Sequence, residues 1–335
     1  MGNMHHARSI VAAGIAAWAL VACGWQDPVA DNGGSANGGG TGNAGGSTGG
    51  VVTPPSPVTP APDPAAPVAT NNIAADGRNW LNYRRSQIGM AALTQNAIID
   101  KAAQGHSDYQ RINNVVTHDQ TSGLTGFTGT TLENRLKAAG YSFTATNAIG
   151  EVISAVPNQT GFYMAEELVT AIYHRFVMFE PVFREVGTGS GTTSSGYAYF
   201  TADFVTNNGY GTGLAAGTMA TWPVNGQTGV QVNFMSNTEE PDPVPDVNEV
   251  GYPISVHTNL TRKLTVQSFT VRARNGSANL ATRLLMQSND TNTTSPSVAA
   301  IIPLAPLSAN TVYDVSFSGA IDGTAISRTW SFTTK

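Results

Sequence analysis

Cysteine is almost absent from this sequence, since Cys23 is the only one among 335 residues. A single cysteine excludes an intramolecular disulfide framework. Charge is also sparse: charged residues make up 12% of the chain, and the formal net charge is −5. A mildly acidic chain lacks the basic surface of a nucleic-acid binder, so we expect no nucleic acid among its partners.

Long apolar runs are missing too. The run IVAAGIAAWAL covers residues 10–20, which is too short for a membrane-spanning helix of about 20 residues. It follows Arg8 and is typical of a signal-peptide core, so residues 1–22 are predicted to be a signal peptide. The stretch LVAC at its end resembles a bacterial lipobox, which implies cleavage before Cys23 and lipidation of its thiol.

Two questions remain open for this N-terminus: whether Cys23 is lipidated, and which membrane would then hold the protein. An ordinary secretory signal with an incidental cysteine would leave the protein unanchored. If Cys23 is lipidated, its neighbour Gly24 stands where an aspartate typically retains lipoproteins at the inner membrane. The sequence therefore favours an exported, lipid-anchored protein of the outer membrane.

Residues 23–72 are rich in Gly, Ser, Asn and Pro, as in GGSANGGGTGNAGGSTGG and TPPSPVTPAPDPAAP. The first composition is typical of a flexible coil and the second of an extended polyproline segment. Neither has the apolar content to fold. We predict a disordered linker between the anchor and the first folded domain.

Residues 73–212 are predicted to form an α+β domain. Helical periodicity begins near Asp76 and breaks near Gly89, with Thr94 as a plausible N-cap for the second helix. Further helices are predicted over 131–140 and 163–179. The pieces AIGEVISAV, FREVGTGSG and GYAYFTADFV are typical of strands, and the alternation in the last predicts a half-buried strand.

Residues 213–335 are predicted to form a separate all-β domain. Seven short runs with turn residues between them fit a β-sandwich. We interpret the acidic stretch EEPDPVPD as a solvated linker, because it lacks the ligand periodicity of calcium loops. His257 is interpreted as an exposed strand residue.

Three histidines and a glutamate are candidate functional residues of the first domain. VVTHDQ contains His118, AIGEVIS contains Glu151, and AIYHRF contains His174. His106 lies on the apolar side of a helix, so we assign it a structural role. His174 lies within an apolar run, and it is either a core histidine or part of a site.

The order of these motifs resembles the CAP superfamily of cysteine-rich secretory, antigen-five and pathogenesis-related proteins, in its cysteine-poor bacterial branch. The resemblance rests on six pieces in sequence: LNYRRSQIGMAAL, TH at 117–118, RLKAAGY at 135–141, GE at 150–151, HR at 174–175 and EVGTG at 185–189. YFTADF, at 199–204, is similar to the closing strand of the family. The resemblance covers about 130 residues.

The resemblance implies an α-β-α sandwich with a groove in which two histidines and one or two glutamates converge. Carried over by motif, His118, Glu151 and His174 would line this groove and could hold a divalent, zinc-like cation. The second glutamate has no firm equivalent, and Glu167 is the better candidate, with Glu166 behind it. Glu151 is followed by Val152 where the family usually has asparagine.

The end of the chain, from PLAPLSANTVYDVSFSG to RTWSFTT, resembles Ig-like domains of bacterial surface proteins. Such domains are usually spacers or adhesion modules. This resemblance is clearest over the last 40 residues.

Three functions follow as hypotheses. The first is a surface-tethered protein whose groove binds a small apolar ligand, a cell-envelope component or a partner protein. The second is a hydrolase that uses His118, Glu151 and His174, although the sequence contains no H-E-x-x-H helix, G-x-S-x-G elbow or cysteine nucleophile. The third is an adhesin with a vestigial groove. We favour the non-enzymatic binding protein.

Overall fold

The computed structural model describes residues 66–335 except 145 and 158, together with the backbone of two short N-terminal strands. Cys23, the remainder of the predicted signal peptide and residues 27–65 of the predicted linker lie outside the described residues. The helices are α1 (Ile73–Gln87), α2 (Ala97–Asn113), α3 (Leu132–Ala139), α4 (Gly161–Thr170) and α5 (Ile172–Met178), and a 3₁₀ turn spans Ser236–Thr238.

The strands of the first half are β1 (Trp18–Val21), β2 (Trp25–Gln26), β3 (Thr94–Gln95), β4 (Ala148–Pro157), β5 (Glu185–Thr192) and β6 (Tyr197–Thr206). They form one sheet in the order β1-β4-β6-β5-β3, and β2 also pairs with β4. The central strands β4, β6 and β5 are antiparallel, whereas β1 and β2 run parallel to β4 and β3 runs parallel to β5.

Helices cover both faces of this sheet, because alternate residues of its strands point to opposite sides. On β6, Thr201 accepts a hydrogen bond from Ser107 of α2. Its neighbour Phe200 contacts Gly77 of α1 on the other face. The layer of α2 and α3 therefore lies on one side, and α1, α4 and α5 lie on the other. This confirms the predicted α+β class.

Glycines bring α2 directly onto the sheet. A Cβ atom on Gly187 would lie 2.2 Å from the backbone nitrogen of Asp100, and one on Gly189 would lie 2.3 Å from Cα of Gln104. Real Cβ atoms do not approach backbone so closely. The alternating glycines of β5 thus form a flat face on which α2 rests.

Three local predictions need correction. The N-cap of α2 is Asn96, whereas Thr94 lies in β3 and pairs with β5. The helix predicted over 163–179 is two helices, because Ala171 adopts an extended conformation between α4 and α5. Strand β6 is not half-buried, since helices cover both of its faces and nearly all of its residues are buried.

The second half contains two four-stranded sheets and a two-stranded one. Its strands are β7 (Ala220–Trp222), β8 (Gln227–Val230), β9 (Asn233–Met235), β10 (Glu249–Gly251), β11 (Ile254–His257), β12 (Leu264–Ala273), β13 (Thr282–Met286), β14 (Val298–Pro303), β15 (Val312–Ile321) and β16 (Thr324–Thr334). The two larger sheets have the orders β13-β14-β11-β7 and β12-β15-β16-β8, and β9 pairs with β10. Most of these strands follow the runs predicted from the sequence.

The two halves share a hydrophobic core. One continuous cluster of buried residues includes Phe176 and Phe179 of the first half and Trp222, Val256 and Val298 of the second. His257 is part of this junction and is fully buried, so its interpretation as an exposed strand residue is wrong. Its ring packs edge-on against Phe176 and Phe179, and burial lowers its pKa to about 3.

Glu180 is a second titratable group at the junction, and its side chain is buried. Its Oε1 atom accepts hydrogen bonds from the backbone nitrogens of Val182 and Leu260, at 3.1 and 3.0 Å. Burial raises the pKa of Glu180 from 4.5 to about 7, although these two amides and Arg85 act in the opposite direction. The folded protein therefore binds a proton at Glu180 more tightly than the unfolded chain does.

This difference predicts the pH dependence of stability. A raised pKa in the folded state stabilises the protein fully below pH 4.5, and this contribution is lost as the pH rises towards 7. Relative to a Glu180→Gln variant, the wild-type free energy of unfolding should fall by about 3 kcal/mol over this range. Urea unfolding of both proteins at pH 4.5 and pH 7.5 measures this fall in the free energy of unfolding. If the free energies of unfolding of the wild type and of Glu180→Gln differ by the same amount at both pH values, the raised pKa of Glu180 is contradicted.

Candidate functional site

The candidate site is a buried network on the α2–α3 side of the sheet. Glu151 lies on β4 and has no exposed surface. Its Oε1 accepts a hydrogen bond from Nδ1 of His118 at 2.7 Å, and its Oε2 accepts one from the guanidinium of Arg135 at 2.5 Å. The structure thus brings together two of the three predicted groove residues, His118 and Glu151.

Arg135 organises this network from α3. Thr131 caps the helix and forms a capping box with Asn134, which fixes the first turn. The Arg135 guanidinium also donates to the backbone oxygens of His118 and Thr130, at 2.7 and 3.2 Å. It therefore holds both the loop that carries His118 and the carboxylate that binds the His118 ring.

Asp203 is the residue directly opposite Glu151 on the neighbouring strand β6. Burial and the Glu151 carboxylate raise the pKa of Asp203 well above its ordinary value. As an ionised group it would have no hydrogen-bond donor from the described part of the chain at either oxygen. When protonated, it can donate to Glu151, so the geometry favours a neutral acid at this position.

The pKa of Glu151 moves in the other direction. Burial alone would raise it, but the guanidinium of Arg135 and the rings of His106 and His118 outweigh burial and hold the pKa well below its usual range. Glu151 is therefore an ionised carboxylate with a bonded partner at each oxygen. A carboxylate in this state orients its neighbours and is poorly suited to accept a proton as a general base.

The contacts of His106 agree with the structural role predicted for it. Its Nε2 lies 2.7 Å from the backbone oxygen of Thr117, and its Nδ1 lies 3.0 Å from the side-chain amide of Gln120. Burial lowers the pKa of His106 to about 4, so the ring is neutral near pH 7. Its hydrogen bond to Thr117 also helps to fix the residue next to His118.

His118 is the member of the network that could contact a ligand. Its side chain is 9% exposed, whereas those of Glu151, Arg135 and His106 are fully buried. Because Nδ1 donates to Glu151, Nε2 of the neutral ring is an acceptor. Nε2 is itself buried and has no hydrogen-bond partner among the described residues, so a ligand would reach it only after the residues around it moved.

His174 does not join this network. Its helix α5 belongs to the layer on the other face of the sheet, and Nδ1 of His174 bonds Oε1 of Glu239 at 2.9 Å. The ring is fully buried. The expected convergence of His174 with His118 and Glu151 is therefore absent from this structure, because the sheet separates α5 from the face that carries Glu151.

The remaining candidates lie on α4. Glu167 is 9% exposed. Glu166 bonds both Trp80 and Arg84 of α1, at 2.7–2.8 Å. Arg84 thus ties Glu166 to the first helix rather than to the His118 side of the sheet.

The divalent cation remains a prediction. The described residues contain no group of three or more His, Cys, Asp and Glu side chains placed to hold a metal ion. Both oxygens of Glu151 are already bonded, and the positive charge of Arg135 lies against one of them. Among the described residues of the predicted set, Nε2 of His118 and Nε2 of His174 both lack a hydrogen-bond partner, but the two rings lie in different layers.

Sequence reasoning missed Arg135, Asp203 and Glu239. Arg135 lies within a motif of the resemblance, but its partner could not be named without the fold. Asp203 could have been noticed as an acid within an otherwise buried-type strand, YFTADF. Glu239 lies in the stretch interpreted as a solvated linker, and this interpretation is wrong because Glu239 is 1% exposed.

A three-layer α/β/α domain with a buried His–Glu–Arg network is the class of structure that these observations define. Residues 79–204 match the CAP family, described as the cysteine-rich secretory protein family. The match assigns this region, and not the rest of the chain, to the CAP family. A comparison with curated proteins finds no match.

Solved structures with similarity to the chain include three bacterial proteins. An extracellular protein with an SCP domain from Bacillus anthracis is 22% identical, with a TM-score of 0.33, and the match covers 42% of this chain and 44% of that one. An outer surface protein from Borrelia burgdorferi is 14% identical (TM-score 0.35; 42% and 97% covered). A cysteine-rich secretory protein from Staphylococcus aureus is 16% identical (TM-score 0.30; 42% and 40% covered). The chain spans less than half of the first and third.

Proposed function

We propose that this protein is exported and that its CAP domain binds a lipid-like or other cell-envelope ligand without catalysis. The description of the family as secretory supports export. The observation that carries the binding proposal is His118, whose ring is oriented by Glu151 while Nε2 has no partner among the described residues. Because Nε2 is buried, a ligand would have to displace the residues around it before a donor group could bind this oriented acceptor.

Exposed apolar side chains accompany His118 on the same loop. Leu124 and Phe127 are 43% and 37% exposed, and Ile112 at the end of α2 is 46% exposed. A Cβ atom on Gly126 would lie 3.7 Å from Cδ1 of Ile112, so the tip of the loop reaches the end of α2. Neighbouring exposed apolar residues favour an apolar portion in the ligand.

Binding is favoured over hydrolysis because of the state of Glu151. Its low pKa and its two bonded oxygens oppose a role as general base, and His174 lies in a different layer. No observation in the described residues specifically supports a hydrolase.

Lipid anchoring through Cys23 remains part of the proposal, supported by LVAC and the apolar run before it. A lipid anchor would hold the protein at the outer membrane, close to lipid and cell-wall components. Among the described residues, no helix combines the length and apolar character needed to cross a bilayer.

The test uses the full chain with Cys23→Ser, which removes the lipidation site. It is sedimented with vesicles of phosphatidylethanolamine and phosphatidylglycerol, and separately with purified cell-wall sacculi. We expect saturable binding to one of them, weakened about 10-fold or more by the pair Leu124→Ser and Phe127→Ser. Ile98→Ser is the control, because Ile98 is 40% exposed at the other end of α2.

His118→Ala tests the role of the ring in the same assay and should also weaken binding. Absence of binding to both materials, or equal loss in the Ile98→Ser control, would reject the proposal. A zinc titration by calorimetry tests the predicted cation. Saturable zinc binding that is lost in both His118→Ala and His174→Ala would support a shared metal site, and binding unaffected by either would reject it.

A further inference from the structure

Helix α5 has no N-terminal cap of its own, because Ala171 makes no side-chain hydrogen bond to it. The carboxylate of Glu239, from the second half of the chain, takes this role. Oε2 accepts from the backbone nitrogen of Ile172 at 2.8 Å, and Oε1 accepts from that of Tyr173 at 2.7 Å. A carboxylate at this end of a helix is stabilised by the exposed N–H groups and the helix dipole.

His174 completes the contact. Its backbone nitrogen and its Nδ1 both donate to Oε1 of Glu239, at 3.2 and 2.9 Å. His174 is fully buried and Glu239 is 1% exposed. One carboxylate therefore satisfies three backbone donors and one ring donor, which come from the opposite half of the chain.

The following residue, Arg175, reaches further into the second half. Its guanidinium donates to the backbone oxygen of Pro253 at 2.7 Å and to Oγ of Ser255 at 3.2 Å. It also donates to the backbone oxygens of Val169 and Thr170, which end α4. Arg175 thus links the break between α4 and α5 to the sheet that contains β11.

Tyr173 and Phe176 extend the same surface. The hydroxyl of Tyr173 donates to Asp290 at 3.0 Å, and the ring of Phe176 packs against His257. All seven residues of α5 are buried. The whole helix is thus enclosed between the two halves, which explains why a His–Arg pair lies within an apolar run.

We infer that Glu239 and His174 form an interdomain lock, which joins the CAP domain to the β-rich half as one unit and assigns His174 to this junction rather than to a ligand groove. The second half is then a structural part of the CAP unit and not an independent spacer. The lock uses no atom of the His118–Glu151 network, so it does not depend on the proposed binding function.

The test compares variants of the full chain by calorimetry and limited proteolysis. The wild type should unfold in one transition that includes both halves. Glu239→Ala should split this transition in two or increase cleavage within residues 236–248 by about 100-fold or more, because removing one partner of a buried pair leaves the other unsatisfied. Glu240→Gln is the matched control, since Glu240 is exposed and adjacent.

Two further variants separate the lock from general loss of folding. Glu239→Gln keeps an oxygen acceptor, and His174→Asn keeps a donor near the position of Nδ1. Each should lie between the wild type and its alanine variant in cleavage rate, and amide exchange should accelerate at Ile172, Tyr173 and His174 before other core amides. The lock is overturned if Glu239→Ala unfolds in one transition and is cleaved at the wild-type rate. It is also overturned if His174→Asn is cleaved as fast as His174→Ala.

Discussion

Replacing Arg135 with methionine should lower the free energy of unfolding by about 3–5 kcal/mol, because the substitution leaves the ionised Glu151 buried without its cationic partner. It also removes the donor to the backbone oxygens of His118 and Thr130. Urea unfolding monitored by tryptophan fluorescence measures the loss.

A matched control is Arg111→Met on α2. Arg111 also forms an ion pair, with Asp108, but both side chains are 33–40% exposed. Partly exposed pairs contribute at most about 1 kcal/mol. The double variant Arg135→Met with Glu151→Gln should recover part of the loss, since it removes the buried charge as well. Equal effects of Arg135→Met and Arg111→Met, or no recovery in the double variant, would contradict the network.

Replacing Gly189 with alanine should have an effect of similar size, about 3 kcal/mol, because the added methyl group would overlap the backbone of α2. Neither the strand nor the helix backbone can move aside as a flexible side chain can. Chemical unfolding measures the change. Since α2 carries His106, a displaced helix should also accelerate amide exchange in the loop around Thr117.

Gly191→Ala provides the comparison on the same face of β5. There the new methyl group would meet atoms of the Arg111 side chain at 3.0 Å, and this partly exposed side chain can rotate away. We expect a loss below about 1 kcal/mol. If Gly189→Ala is as well tolerated as Gly191→Ala, α2 does not rest on β5 as described.

The sequence indicated the close contact between α2 and β5 only indirectly. Glycine at every second position of EVGTGSG matches the two-residue period of a strand, which is the expected pattern where one face meets another backbone. The pattern alone does not say which element lies on that face. The structure assigns it to residues 99–104 of α2.

The break between α4 and α5 shows a clear limit of local prediction. Nothing in ELVTAIYHRF is a helix breaker, so the sequence favours one continuous helix. The chain instead becomes extended at Ala171, and the new helix begins where Glu239 binds its first amides. Glu239 lies 67 residues from Ile172, and local periodicity carries no information about such a partner.

The sequence by itself determined the α+β class of the first half, the short strands of the second and the resemblance of residues 79–204 to the CAP family, and it singled out His118 and Glu151 as candidates. These features follow from periodicity, turn residues and the order of motifs along the chain. Only the tertiary structure decided that Glu151 pairs with Arg135 and Asp203, and that His174 belongs to the junction. The physical reason is that the partner of a buried charge is chosen by which faces of distant strands and helices meet, and the alternation within a single strand leaves that choice open.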